Sequence, residues 1–212
     1  MNCDDVHESW QEFLNPEALK SKLIFASLYI TAYEILKDII IERIEFFYSS
    51  VFREGKFRVD PEYKTEVLSL DAKNPPDRKN KLNASLLWLK EMSAIDDKDI
   101  ELFYLIRESR NELAHEMAEL VAKSIDAKYP ERFSDMITLL NKIEVWWAIN
   151  FDLAIDPDIM VSEINEDDIS PGIIISLRLM YEIALGNDDE SWCHYKRFFS
   201  SHSVPEIPDV ET

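Results

Sequence analysis

Glycine is scarce in this chain, which contains only Gly55, Gly172 and Gly186. Sandwiches and barrels of β-strands need many tight turns that glycine makes at little steric cost, and nucleotide-binding α/β folds need glycine-rich loops. Three isolated glycines cannot build a Walker loop or a dinucleotide-binding fingerprint. The scarcity therefore argues against those fold classes and predicts long helices joined by few turns.

Cysteines and long apolar runs are also scarce. Cys3 and Cys193 are far apart in sequence, so their spacing predicts neither a disulfide framework nor a zinc site. The acidic N-terminus lacks the basic start and apolar run of a signal peptide. No run of about 18 apolar residues exists, because the most apolar region is interrupted by Lys37, Asp38, Glu42 and Arg43. We therefore expect a cytoplasmic protein with no membrane contact.

Positive charge is in deficit, and the formal net charge is −19. This excess argues against tight non-specific duplex binding, which depends on neutralised phosphates. Residues 51–90 run the other way, with nine basic and six acidic side chains and hence a local net charge of +3. Arg78, Lys79 and Lys81 lie in this stretch, so we expect it to supply phosphate contacts if any surface does.

Apolar residues recur at three- and four-residue spacing along most of the 212 residues. Asn15 and Pro16 have the residue types of a helix N-cap and first turn. We predict helices over about 16–48, 77–94, 96–125, 130–152, 170–185 and 188–199. The second of these is predicted to be capped by Asp77 and carries the apolar residues Leu82, Leu86, Leu89 and Met92. Residues 53–76 are predicted to be a connector without regular structure, and no strand is predicted. The fold class is thus all-α, in a single domain spanning 1–212.

The helix predicted over 96–125 carries the only segment whose residue types are typical of a catalytic site. Arg107, Asn111 and His115 recur every four residues and share one polar flank. The apolar side of the same helix consists of Leu102, Ile106, Leu113, Met117 and Leu120. Arg110 lies at the edge of that apolar side. Because an unpaired buried charge is costly, Arg110 must be paired or must face a polar interface.

The segment Arg107–Glu116, with Arg110, Asn111 and His115 inside it, resembles the signature helix of the HEPN superfamily. The motif of that family is Arg, four to six residues and His, often with Asn, Asp or His directly after the Arg. The resemblance implies an up-down helical bundle of HEPN type over about residues 16–150, with additional C-terminal helices over about 151–200 and a frayed tail at 201–212.

Many members of this superfamily are metal-independent endoribonucleases of toxin–antitoxin, abortive-infection and CRISPR systems. Their motif helices meet in a dimer and form a composite site. The resemblance therefore implies a homodimer that cleaves RNA without a metal or a cofactor, in phage defence or as a toxin. An antitoxin or another regulatory protein is a further expected partner.

The residue types fit this chemistry. RNA is cut without a metal when its 2′-hydroxyl attacks the adjacent phosphate, which needs a group that titrates near neutrality and a fixed cation. We expect His115 to be the general acid/base, Arg110 the phosphate clamp and Asn111 an orienting residue, with Arg107 as an auxiliary phosphate ligand. On one helix, Arg110 and His115 point about 140° apart, so two copies across a dyad are needed to present both groups to one strand.

Two other interpretations stay open. In the first, the chain is a non-catalytic HEPN-like module that binds a nucleotide, an RNA or a protein, and Arg110 pairs with an acidic residue of another helix. A column of like charges beside the motif, Glu108, Glu112 and Glu116, counts against the nuclease interpretation because it would repel RNA. In the second, the chain is an acidic DNA mimic, an interpretation that rests on net charge alone. The acidic stretch 152–169 lacks the spacing and glycine of a calcium loop, so we predict no metal site.

Overall fold

The computed structural model describes residues 10, 13–53, 56–74, 80–115, 126–154, 165–186, 193–194 and 197. Six α-helices lie within these residues: α1 (Pro16–Phe47), α2 (Glu62–Glu66), α3 (Lys81–Glu91), α4 (Asp97–His115), α5 (Lys128–Trp147) and α6 (Gly172–Leu185). A short antiparallel hairpin follows α1 and consists of β1 (Val51–Arg53) and β2 (Lys56–Arg58). Apart from this hairpin, the regular structure of the described residues is helical, in agreement with the predicted all-α class.

The long helix α1 begins where the sequence predicts. The side-chain oxygen of Asn15 accepts hydrogen bonds from the backbone amides of Glu17 at 3.1 Å and Ala18 at 3.3 Å, and Pro16 is the first helical residue. These bonds satisfy two of the amides that a helix leaves unpaired at its start. Helices α3, α4, α5 and α6 all pack against α1. Apolar residues on more than one face of α1 are therefore covered within a single chain, whereas Leu23, Phe46 and Phe47 stay exposed.

The core has an aromatic cluster towards each end of α1. Near its start, Phe25 and Tyr29 of α1 pack against Phe133 of α5, with ring centroids 5.9 and 6.1 Å from that of Phe133. Near its end, Trp88 of α3 stacks on Trp147 of α5, with centroids 5.9 Å apart and an interplanar angle of 16°. Both tryptophans are buried. Trp88 and Trp147 therefore belong to the core.

The connector predicted over 53–76 is more regular than expected, and that prediction was wrong. It contains β2, the short helix α2 and a 3₁₀ turn at Leu68–Leu70. Pro61 stands immediately before α2 and opens it instead of interrupting it. Proline lacks an amide hydrogen, but the amides at a helix start have no partner within the helix, so proline costs little there. Tyr63 and Val67 then anchor the connector in the core.

Helix α3 begins at a buried carboxylate. Asp71 is fully buried and accepts hydrogen bonds from the backbone amide of Asn80 at 2.8 Å and from the side-chain amides of Asn74 at 2.7 Å and Asn83 at 2.9 Å. The side chain of Asn80 caps α3 through the amide of Asn83. The prediction that Asp77 caps this helix was wrong, because the helix begins at Lys81 with Asn80 as its N-cap; Asp77 itself lies outside the described residues. Asp71 thus ties together both ends of the segment between the 3₁₀ turn and α3.

We expect Asp71→Ala to lower the free energy of unfolding by about 3 kcal/mol, because three hydrogen-bond donors lose their common buried acceptor. Urea titration followed by circular dichroism measures this change. The exposed carboxylate of Asp168 gives the matched control, and Asp168→Ala should stay within about 0.5 kcal/mol of wild type. Equal stabilities of the two variants would contradict the anchoring role of Asp71.

The later helices agree with the predicted boundaries. Helix α5 starts at Lys128 and continues as a π-helical turn over Ala148–Asp152, and α6 follows Pro171. The predicted last helix over 188–199 lies largely outside the described residues, and the predicted tail 201–212 lies wholly outside them. In the portion of the chain that is described, no helix combines the length and apolar character needed to cross a bilayer.

Candidate functional site

Helix α4, which carries the Arg-Asn…His segment, has a firmly defined start. Asp96 and Asp99 exchange hydrogen bonds, since the amide of Asp99 donates to the Asp96 carboxylate at 3.0 Å and the amide of Asp96 donates to the Asp99 carboxylate at 2.9 Å. This reciprocal capping fixes the first turn. Because a helix turns by about 100° per residue, the fixed start also sets which way each later side chain points.

The side chains of α4 separate as the spacing predicts. Ile106 and Leu113 are fully buried against the bundle. Arg107 and His115 are exposed, and Asn111 is half-buried, so the predicted polar flank points away from the core. The predicted apolar residues Met117 and Leu120 lie outside the described residues, as does Glu116.

Arg110 lies between α4 and α1. One terminal nitrogen, Nη2, donates to the Glu34 carboxylate at 2.6 Å, and the other, Nη1, donates to the side-chain oxygen of Asn111 at 3.3 Å. The guanidinium carbon sits 5.5 Å from the centroid of the Tyr33 ring, within cation–π range. Arg110 is therefore paired within its own chain, which is the arrangement that the non-catalytic interpretation predicts. Among the described residues its Nε is buried and has no hydrogen-bond partner.

The Glu34 carboxylate is shared by two cations. Lys37, one turn further along α1, contacts its second oxygen. The hydrogen bond from Lys37, and then the one from Arg110, hold the pKa of Glu34 below its usual value. The same bond from Glu34 raises the pKa of Lys37. Burial raises the pKa of Tyr33, and the nearby charge of Arg107 opposes that rise. The lowered pKa of Glu34 and the raised pKa of Lys37 mean that both side chains are ionised at neutral pH.

Arg110 and His115 do not converge within one chain. Helices α1 and α4 run antiparallel, because Tyr29 bonds to the carbonyl of Ile106 whereas Tyr33, one turn later, packs against Phe103. The Arg110 side chain points back along α4 towards Tyr33, as helical side chains do. His115 lies about 7.5 Å further along the axis in the opposite direction. Within the described residues the imidazole of His115 makes no hydrogen bond, and the Asn111 side chain contacts Arg110 instead of His115.

Of the three basic residues predicted upstream as phosphate contacts, only Lys81 is described, and it does not join the cluster around Arg110. Lys81 starts α3 and pairs with Glu45 at 2.5 Å. Glu45 lies eleven residues beyond Glu34 on α1, a separation of about 16 Å along the helix. Arg78 and Lys79 lie outside the described residues. The predicted RNA-contact set therefore includes one residue, Lys81, at a different level of the bundle.

The predicted column of like charges is partly neutralised. Glu112 accepts from Lys128 at 2.7 Å and from the Tyr129 hydroxyl at 3.1 Å, both at the start of α5. Glu108 is exposed on α4. The repulsion expected from this column is reduced, because the charge of Glu112 is compensated by a neighbouring helix.

Sequence reasoning missed the role of Glu34, Lys37 and Tyr33. Glu34 and Lys37 have the spacing of an ion pair within a helix, which is common on helix surfaces and does not by itself indicate a site. Their contact with Arg110 joins positions 76 residues apart. Only the packing of α1 against α4 brings these side chains together.

Comparison with known proteins gives no family assignment: no protein-family model, no curated protein and no solved structure matches this chain. Within the described residues, no group of three or more His, Cys, Asp or Glu side chains is placed to hold a metal ion.

Proposed function

We propose that this chain is a HEPN-type, metal-independent endoribonuclease that acts as a homodimer. The observation that carries the proposal is the placement of Arg110, Asn111 and His115 on the last two turns of α4. Arg110 is held at the surface by Glu34 and Tyr33, and its side chain is 29% exposed. His115 projects beyond it, exposed and without a hydrogen-bond partner among the described residues. A phosphate-binding cation and a titratable base are thus present, but too far apart to act on one phosphate alone.

A second copy completes the site in this proposal. Two α4 helices related by a dyad present two Arg110 side chains and two His115 side chains to one RNA strand. One His115 takes the proton of the 2′-hydroxyl as the 2′-oxygen bonds to phosphorus. The other His115 gives a proton to the departing 5′-oxygen as its bond to phosphorus breaks. The products are a 2′,3′-cyclic phosphate and a 5′-hydroxyl, and Arg110 stabilises the charge that develops on the phosphate oxygens.

We expect the purified protein to cleave single-stranded RNA in the presence of EDTA and to leave 2′,3′-cyclic phosphate ends. The protein that cleaves RNA should be a dimer, which light scattering detects as twice the mass of one chain. End-group mass spectrometry of the products identifies the cyclic phosphate. If a broad pool of RNA stays intact after incubation with the dimeric protein, the proposal is wrong.

A second candidate function is a non-catalytic helical module of HEPN type that binds a nucleotide, an RNA or a protein partner. The pairing of Arg110 with Glu34 inside one chain favours it, because this pair occupies the proposed phosphate clamp. The net charge of −19 also favours it. Overexpression in bacteria separates the two candidates: a nuclease slows growth and His115→Ala restores it, whereas a binding module gives the same growth with either chain. A biological role as a toxin or in phage defence is part of the first candidate function only.

A further inference from the structure

Two cations from different helices meet at one carboxylate. Arg110 of α4 bonds to Oε1 of Glu34, and Lys37 of α1 contacts Oε2. The side chains are 29%, 34% and 31% exposed for Arg110, Glu34 and Lys37, so the cluster is open to solvent. Because the two cations bind the two oxygens of one carboxylate, they are also placed to bind two oxygens of one phosphate.

Charges of both signs meet at this cluster. Lys37, Arg107 and Arg110 contribute three positive charges, and Glu34, Asp38 and Glu108, which is exposed beside Arg107 on α4, contribute three negative charges. Asp38 adds only a longer contact to Lys37, at 3.5 Å. Arg107 is exposed on α4, and its charge opposes the rise that burial causes in the pKa of Tyr33. The anion already bound here is Glu34, a side chain of the protein itself.

The guanidinium of Arg110 is not saturated by this anion. It uses one bond to Glu34 and one to Asn111, out of five N–H donors. The guanidinium carbon also lies over the Tyr33 ring, 5.5 Å from its centroid. Glu34 therefore orients Arg110, and because the Nε–H is buried, one further N–H on each terminal nitrogen is left for a phosphate.

We propose that Lys37 is a second phosphate ligand of the site and that Glu34 is an internal counterion, which the RNA phosphate displaces from Arg110 and Lys37. The proposal rests on the proposed function for the identity of the anion, a phosphodiester of single-stranded nucleic acid. Glu34 then has two effects. It keeps the two cations close together in the free protein, and it weakens binding by competing with the phosphate.

The test is binding of a fluorescent single-stranded 2′-O-methyl oligoribonucleotide, measured by anisotropy at several salt concentrations. We expect Lys37→Gln to weaken binding about fivefold and to reduce the slope of log affinity against log salt by about 0.7, because one phosphate contact is lost. We expect Glu34→Gln to strengthen binding about fivefold, because glutamine still accepts from Arg110 but no longer competes as a charge.

Helix α1 offers a matched control pair. Glu17 and Lys20 have the same spacing as Glu34 and Lys37 and also form an ion pair, at 2.9 Å, but they are 80% and 66% exposed. Glu17→Gln and Lys20→Gln make the same charge changes away from the cluster, so neither should alter the affinity by as much as twofold or change the salt slope.

Two outcomes would overturn the proposal. If Lys37→Gln and Lys20→Gln shift affinity and slope equally, Lys37 is not a ligand and only net charge matters. If Glu34→Gln weakens binding while lowering the free energy of unfolding, Glu34 is structural and not a competitor. The methylated strand has no free 2′-hydroxyl, so its binding does not depend on cleavage. Expected shifts in binding without any RNA cleavage would support the anion site and contradict the nuclease.

Discussion

His115→Ala is expected to lower the rate of RNA cleavage by about 10²- to 10⁴-fold, the range that a positioned general acid/base contributes. His115 is exposed on the last described turn of α4 and makes no hydrogen bond within the described residues. Its removal therefore leaves the core intact, and the free energy of unfolding should stay within about 0.5 kcal/mol of wild type. Cleavage is measured on a single-stranded RNA in EDTA, under single-turnover conditions.

The matched control is His194→Ala. His194 pairs with Glu182 of α6 at 2.7 Å and has no place in the proposed site, so its loss should leave the cleavage rate unchanged. Cleavage by His115→Ala at the wild-type rate would show that the histidine is not catalytic. Equal losses in both histidine variants would point to a general effect of histidine removal and would also count against the assignment.

The clamp is better tested by Arg110→Lys than by Arg110→Ala. Alanine would leave the half-buried Glu34 without its cation from α4, and a defect could then come from local unfolding. Lysine keeps the charge and a bond to Glu34 but has no planar fork. A clamp that needs two-point contact predicts slower cleavage with unchanged stability for Arg110→Lys. Unchanged cleavage would mean that only the charge at this position is used.

Trp88→Ala is expected to lower the free energy of unfolding by about 3–5 kcal/mol, the largest stability effect of any change considered for this chain. Trp88 is 1% exposed and stacks on Trp147. Its indole nitrogen donates to the Tyr48 hydroxyl at 3.2 Å, and Tyr48 donates to Glu66 at 2.7 Å. Removal of the indole opens a cavity and also breaks the link from α3 to the end of α1.

Two further variants make this prediction specific. Trp88→Phe keeps a ring against Trp147 but loses the donor to Tyr48, so we expect a smaller loss of about 1–2 kcal/mol. Trp10→Ala removes a tryptophan that is 56% exposed and should change stability by less than about 1 kcal/mol. Chemical denaturation followed by circular dichroism measures all three. A loss for Trp88→Ala no greater than that for Trp10→Ala would remove Trp88 from the core.

Part of the fold is predictable from local signals. Asn15 and Pro16 predict the start of α1, and a cap at Asp96 or Asp97 predicts the start of α4, because capping depends on the residues next to the helix start; the structure selects Asp96. The apolar spacing of α3 was less informative. It places Leu86 and Leu89 in the core correctly, but Met92 is 44% exposed whereas Trp88 is buried. Which face of a short helix is covered depends on the neighbouring helices, and a sequence pattern with apolar residues on several faces does not select one.

The candidate site could also be predicted only in part from the sequence. The spacing of Arg107, Asn111 and His115 correctly predicts one polar flank, since the geometry of a helix is fixed by its backbone. The position of Arg110 at the edge of the apolar side correctly indicates a charge that needs a partner. The identity of that partner could not be predicted, because Glu34 is one of many acidic residues and lies 76 positions away. The HEPN-type bundle, the dimer and the nuclease activity stay predictions.

The sequence by itself determined that this protein is helical, where its longest helices begin, and which residues of α4 turn away from the core. These properties arise from interactions among residues close along the chain, so they can be read without knowledge of the rest. The tertiary structure alone decided that Arg110, Glu34, Lys37 and Tyr33 form one cluster and that Trp88 belongs to the core. Such contacts depend on how α1, α3, α4 and α5 pack, and packing is set by the whole set of side chains at once.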